Sequence, residues 1–332
     1  MLEWTGCDNY ELKGFWLEEW IFLKKRLRQR INQKKNNSFT FEIFKLLNIY
    51  NSNWDMDRKK FLGSLFLLGV APYVLKAMPL ISKNEGNYIR LLRHATLVIK
   101  IGEIKILVDP MLSPKDAMPP MRNCGNDIRN PMVNLPIDIK ELNDIISDVD
   151  AVLVTHTHSD HWDVASQNLI DKNKLIFCPL SDTEKINNQG FLNVKPIDDK
   201  IVWKGISINR TKGKHGKNDV SGFVVSKGTD TIYIAGDTIW CSEVEDALNT
   251  YNPKITVLNA GGARFLSGEV ITMTPDDVFN VHKKLPETKI IAVHMDSINH
   301  CFDKRTDLKK YFEEKGLLSK VVIPIDGEVV FI

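Results

Sequence analysis

The chain has no C-x-x-C pair anywhere, and its five cysteines (Cys7, Cys124, Cys178, Cys241, Cys301) are odd in number and widely scattered. That excludes a disulfide framework and a zinc-ribbon site and favours a reducing compartment. It also lacks a Gly-Lys-Ser phosphate loop, a dinucleotide-binding glycine fingerprint and an evident Ser/His/Asp triad; Gly261-Gly262 is too short to be a cofactor loop. Net charge is nearly absent: 44 Lys+Arg face 42 Asp+Glu, so no global field points to nucleic acid. With 43% hydrophobic and 26% charged residues over 332 positions, the chain is neither disordered nor fibrous. It is long enough to bury a core without covalent staples.

Charge and hydropathy are unevenly spread. Residues 1–60 hold 12 Lys/Arg against 8 Asp/Glu. Within them Trp16, Trp20, Leu23, Leu27 and Ile31 recur at helical spacing, which predicts a basic amphipathic helix, packed on the protein or lying on an anionic membrane. Residues 61–81 are apolar but broken by Pro72 and Pro79, and Met56-Asp57-Arg58-Lys59-Lys60 precedes them like the charged start of an export signal. Three readings stay open for 56–82: a packed helix, a membrane anchor, or a signal remnant with Met56 as an alternative start. Residues 1–87 are thus expected to form a helical extension. The protein is expected to be cytoplasmic, with membrane contact through residues 1–82 as the alternative.

From Tyr88 onward the pattern changes to short β-rich runs. Ile89–Leu92, Thr96–Ile101 and Ile104–Val108 read as strands, with Gly102-Glu103 as a tight turn between the last two. Further strands are expected at Ala151–Thr155, 174–178, 201–203, 206–211, 220–226, 231–235, 255–258, 289–293, 321–325 and 328–332. Helices are expected at Ile139–Ile146, 163–172, 181–188, 242–250, 275–285 (capped by Thr274) and 304–315. Strands interleaved with helices make residues 88–332 a layered α/β domain. The irregular stretch 110–136 is long enough to be a functional loop.

Chemistry collects at strand ends. After Ala151–Thr155 comes His156-Thr157-His158-Ser159-Asp160-His161, a pattern whose chance expectation in this chain is about 4 × 10⁻⁴. A tight turn carrying imidazoles and a carboxylate suits a borderline divalent metal, and those four groups alone can close a single site. Matching isolated groups follow other apolar strands: Asp109, His215, Asp237 and His294.

This set resembles the metallo-β-lactamase superfamily, whose H-x-H-x-D-H motif matches His156, His158, Asp160 and His161. Within it, the chain more closely resembles the branch of ascorbate-6-phosphate lactonases and N-acyl-phosphatidylethanolamine phospholipases D, through His94-Ala95-Thr96 and Asp109-Pro110. The resemblance implies a four-layer αββα sandwich with two divalent ions, zinc first, manganese or iron as alternatives. It assigns His156, His158 and His215 to one ion, Asp160, His161 and His294 to the other, Asp237 as the bridge and Asp109 as a support behind a ligand. It also implies a metal-bound hydroxide that attacks a phosphodiester, lactone or ester of a small-molecule or lipid substrate, with Asp160 orienting the nucleophile or taking its proton. His94 and His300 are further catalytic candidates. Asn259, Arg264, Thr272 and Thr274 are candidates for holding substrate, with Arg122 and Arg129 as added cations. His282 reads as a surface histidine. The alternatives are a nuclease of the same fold, disfavoured by the missing basic stripe, and a membrane-tethered, non-catalytic metal-binding protein.

Overall fold

The computed structural model describes residues 86–216 and 218–332. The expectations for residues 1–85, including the amphipathic helix and the 56–82 segment, lie outside the described residues. No described helix is long and apolar enough to cross a membrane.

The first sheet contains β1 (Tyr88–Arg93), β2 (Thr96–Ile101), β3 (Ile104–Val108), β4 (Ala151–Leu153), β5 (Ile176–Pro179), β6 (Val194–Ile197) and β14 (Val329–Phe331), in the order β14-β1-β2-β3-β4-β5-β6. The second contains β7 (Lys200–Trp203), β8 (Ile206–His215), β9 (Asn218–Lys227), β10 (Asp230–Ile234), β11 (Ile255–Asn259), β12 (Lys289–Val293) and β13 (Val321–Val322), in the order β13-β12-β11-β10-β9-β8-β7. Strand periodicity explains how they stack. In β3, Ile104, Ile106 and Val108 enter the core between the sheets, while Leu107 faces outward. In β12, Ile291 and Val293 point inward, and Ile290 and Ala292 outward.

Helices cover both outer faces. The first carries α1 (Ile139–Asp148), α2 (Val164–Leu169) and α3 (Thr183–Asn188); Leu142, Ile146 and Ile186 pack there against Leu107, Val152 and Ile176. The second carries α4 (Ser242–Tyr251), α5 (Pro275–Lys284) and α6 (Arg305–Glu314), through Val244, Leu248, Val278, Val281, Leu308 and Phe312. The expected four-layer αββα sandwich is what the chain adopts. Three of these helices start on side-chain caps: Asp138 accepts from Glu141 N, Asp163 from Ser166 N, and Thr274 exchanges bonds with Asp277.

Two strands depart from the sequence reading. β6 went unrecognised because Pro196 interrupts so short a run; the structure pairs it with β5 at the sheet edge, where a missing N–H is tolerated. The strand expected over 321–325 ends at Val322, two residues before Pro324.

Parallel pairing positions the chemistry. β3 pairs parallel with β4, and β10, β11 and β12 are mutually parallel, so the loops leaving their C-terminal ends emerge along shared edges. Asp109 follows β3, His156 and its neighbours follow β4, Asp237 follows β10, and His294 follows β12. Ligand groups gather at such carboxyl ends because the loops there are free of the ladder.

Candidate metal centre

Seven of the chain's eight histidines meet at this edge; His282 alone stays on α5. Asp237 sits among them. Its Oδ1 lies 3.2 Å from His294 Nε2, and its Oδ2 lies 3.3 Å from His161 Nε2 and 3.9 Å from His156 Nε2. Asp160 Oδ2 faces three imidazole nitrogens, His94 Nε2 at 3.3 Å, His294 Nε2 at 3.6 Å and His161 Nε2 at 3.7 Å. His156 Nε2 approaches His158 Nδ1 at 2.9 Å, and His161 Nε2 approaches His294 Nε2 at 3.2 Å.

Most of these rings have one nitrogen occupied by the protein. His161 Nδ1 lies 2.9 Å from Asp109 Oδ2, whose carboxylate also accepts the Thr155 N–H and hydroxyl, both at 2.7 Å. His215 Nδ1 donates to Ile271 O at 2.8 Å, His156 Nδ1 meets Thr155 Oγ1 at 3.1 Å, and His294 Nδ1 meets Cys301 Sγ at 3.5 Å. Pinning one nitrogen fixes the tautomer and turns the other outward, as is usual for metal-binding histidines, whereas His94 Nδ1 is buried without a hydrogen-bond partner. The backbone is held equally firmly. A Cβ on Gly261 would come within 2.2 Å of His294 O, so only glycine lets the chain after β11 run against the ligand loop. His94, Asp109 and His294 all take positive φ (60°, 44° and 68°), strain of a kind that collects at functional sites.

The electrostatics sort these groups. Burial pushes the Asp237 carboxyl up, but His294, His161 and His156 outweigh it and hold it well below the usual carboxylate range. Burial likewise opposes ionisation of Asp160, and His161, His294 and His94 win there too. Burial depresses His161, yet Asp237, Asp160 and Asp109 lift it well above the ordinary imidazole range. His294 is raised to about 10 against its own burial, by Asp237, Cys301 and Asp160. His94 and His156 are held low, first by burial and then by neighbouring histidines.

The donor set fits divalent ions. Donor atoms of His94, Asp160, His161 and His294 lie within 4.8 Å of one another, as do those of His156, His161 and Asp237. The contacts of 3.2–3.9 Å around Asp160 and Asp237 match the spacing of neighbouring ligands about 2.0–2.2 Å from one ion. The grouping differs from the expected one. His156 closes with His161 and Asp237, while His158 and His215 flank that group, their ring centroids 5.5 Å apart. His94 joins the Asp160 group.

The expected substrate contacts are redirected. Asn259 is buried and donates Nδ2 to Asp237 Oδ1 at 2.7 Å, so its amide is engaged with that carboxylate. Thr274 is taken up by the α5 capping box, and Thr272 Oγ1 accepts from Ala263 N at 2.8 Å. Arg264 lies 3.9 Å from Asp303 and stacks over Phe302 at 4.6 Å, and Arg129 donates to the carbonyls of Asp116 and Ala117. His300 does sit beside the centre, ring-stacked on Phe265 at 5.8 Å, with a buried Nδ1 that has no partner; burial pushes its pKa down.

Two residues that matter were missed. Arg93 is fully buried and donates to Met111 O, Ser113 O and Val133 O, clamping the 110–136 loop from beneath. Asn299 bonds that loop at Met121, Asn130 and Asn126, joining it to the segment that carries His300. Neither position has a spacing signal; only their adjacency to His94 and His300 set them apart.

A Beta-lactamase superfamily domain model matches residues 105–295. The UPF0173 protein YddR of Bacillus subtilis (strain 168) is 37% identical over 248 residues, covering 71% of this chain and 96% of that protein. The structure of a possible metal-dependent hydrolase from Veillonella parvula DSM 2008 superposes with a TM-score of 0.71 at 36% identity, covering 74% of this chain and 99% of that one. The structure of an isothiocyanate hydrolase from Delia radicum gut bacteria does so with a TM-score of 0.69 at 37% identity, covering 74% and 98%. Matched over more than half its length by the family model, and covering these relatives nearly end to end, the chain belongs to the beta-lactamase superfamily of metal-dependent hydrolases.

Proposed function

We propose that the protein is a dinuclear metallohydrolase that adds water to a small, uncharged electrophile carrying an apolar group. An isothiocyanate is the first candidate, and a lactone or ester the next. The observation that carries this reading is Asp237, whose two oxygens face His294 on one side and His161 and His156 on the other. Such a carboxylate would suit a place between two ions, for which zinc is the first choice and manganese or iron the alternatives.

When bound, such ions supply an acidified water and polarise the bond under attack. The chain's own residues do the rest. Asp109 and Thr155 fix the ring of His161, Asn259 fixes Asp237, and Arg93 and Asn299 hold the 110–136 loop in place. His300 Nδ1, buried and unpartnered beside the centre, is suited to take a proton from the attacking water and return it to the departing nitrogen or oxygen. For an isothiocyanate, water adds across the C=N bond, and the resulting thiocarbamic acid breaks its C–N bond to give an amine and carbonyl sulfide.

Two features support a neutral substrate over a phosphodiester. Arg264, Arg129, Asn259 and Thr274, expected near an anion, are engaged elsewhere. Phe265, stacked on His300, and the next residue Leu266 are 36% and 68% exposed, offering apolar surface to a substrate's side group. No nucleic-acid partner is proposed. The test is a panel of benzyl isothiocyanate, p-nitrophenyl acetate, γ-butyrolactone and bis-p-nitrophenyl phosphate, assayed with zinc- or manganese-loaded protein. Turnover of the isothiocyanate above the phosphodiester is expected; brisk phosphodiester cleavage without the others would contradict the reading.

A further inference from the structure

His94 belongs to no H-x-H-x-D-H motif, and it is placed as strangely as any residue in the molecule. It sits in the β1–β2 turn at φ 60°, fully buried, in a left-handed conformation that strains a non-glycine residue. Its ring lies on that of His294, centroids 3.6 Å apart, so two imidazoles direct Nε2 atoms at the same oxygen, Asp160 Oδ2, from 3.3 and 3.6 Å. His161 Nε2 approaches that oxygen at 3.7 Å. One carboxylate oxygen cannot accept three well-aligned bonds from three stacked and tilted rings, but a cation among them would satisfy all four donors. Two donors on one ion at about 2.0–2.2 Å stand about 3–4.4 Å apart, and the donor atoms of His94, Asp160, His161 and His294 lie within 4.8 Å of one another. The backbone joins the two rings as well: His294 N donates to His94 O at 2.9 Å.

We infer that His94 is a direct metal ligand through Nε2, adding a third imidazole to the ion held by Asp160, His161 and His294. This inference rests on the dinuclear reading above. A ligand from the β1–β2 turn ties that ion to the first sheet's opening strands, and it saturates the ion more fully than the one beside His156. The less crowded ion would then be the one with room for substrate.

The test uses His94→Gly and His94→Ala in the full chain, stripped with chelator and titrated with Co²⁺. Metal content and the visible absorption bands are followed, with thermal unfolding of the metal-free proteins as the folding control. Glycine accepts φ 60° without strain, so His94→Gly keeps the turn and opens a ring-sized space. Wild type should bind two ions. Both variants should bind the second at least about tenfold more weakly, with altered bands, and free imidazole should restore affinity and bands in His94→Gly. Two ions bound with unchanged affinity and spectrum in both variants would overturn ligation by His94 while leaving the dinuclear centre standing. Fewer than two ions in wild type would overturn both.

Discussion

Asp109 Oδ2 lies 2.9 Å from His161 Nδ1, and the same carboxylate accepts the N–H and the hydroxyl of Thr155, the residue immediately before His156. One buried side chain at the end of β3 therefore sets both the ring orientation of His161 and the start of the loop that carries four candidate ligands. Asp109→Asn can present an amide N–H to His161 Nδ1 and favour the wrong tautomer. Metal affinity should fall about 10–100-fold, read by competition with a fluorescent chelator. Unchanged affinity would mean that Asp109 serves only the Thr155 loop.

Asn259 donates to Asp237, so its removal is expected to act through that carboxylate. Asn259→Ala removes the 2.7 Å bond to Asp237 Oδ1 and should lower kcat with little change in KM. A raised KM at constant kcat would restore Asn259 to the substrate pocket.

Metal uptake should release protons. In the metal-free protein His161 is lifted well above the usual imidazole range and His294 to about 10, so both are protonated at neutral pH. Ions bind the deprotonated rings, so apparent affinity should rise with pH up to about 10, where His294 loses its proton, by up to about tenfold per unit for each proton displaced. Calorimetry in buffers of different ionisation enthalpy reads the release directly. Affinity independent of pH would contradict the assignment of these two rings as ligands.

Arg264 and Thr274 should behave as structural residues. Arg264→Ala should change KM for a phosphate-bearing and a neutral substrate alike, because its guanidinium is directed to Asp303 and Phe302. Thr274→Ala should cost about 1 kcal/mol of stability through the lost cap, seen as a lower Tm, with turnover of the folded protein unchanged. A selective loss of phosphate binding in Arg264→Ala would reopen the phosphodiester reading.

The sandwich was legible because its signals are local. The short, β-branched, largely apolar runs Thr96–Ile101 and Ile104–Val108, the Gly102 turn between them and the Thr274-Pro275 helix start each encode their element within a few residues. Ligand candidates were legible for the same reason: polar groups directly after apolar strands stand out in one dimension. How they combine was not, since the closeness of His94 to Asp160 and of His161 to Asp237 comes from strands distant in sequence. Arg264 and Asn259 show the other limit. Their side chains turn toward Asp303 and Asp237, and no spacing rule states which way a loop residue points.

The central claim is that Asp237 bridges two ions, and metal stoichiometry tests it most directly. Protein purified without chelator and incubated with Zn²⁺ or Mn²⁺, then desalted, should retain close to two ions per chain by elemental analysis. Asp237→Ala should retain at most one, with the metal-free fold intact by circular dichroism. A wild-type chain that holds one ion or none under these conditions, or an Asp237→Ala chain that still holds two, would contradict the account.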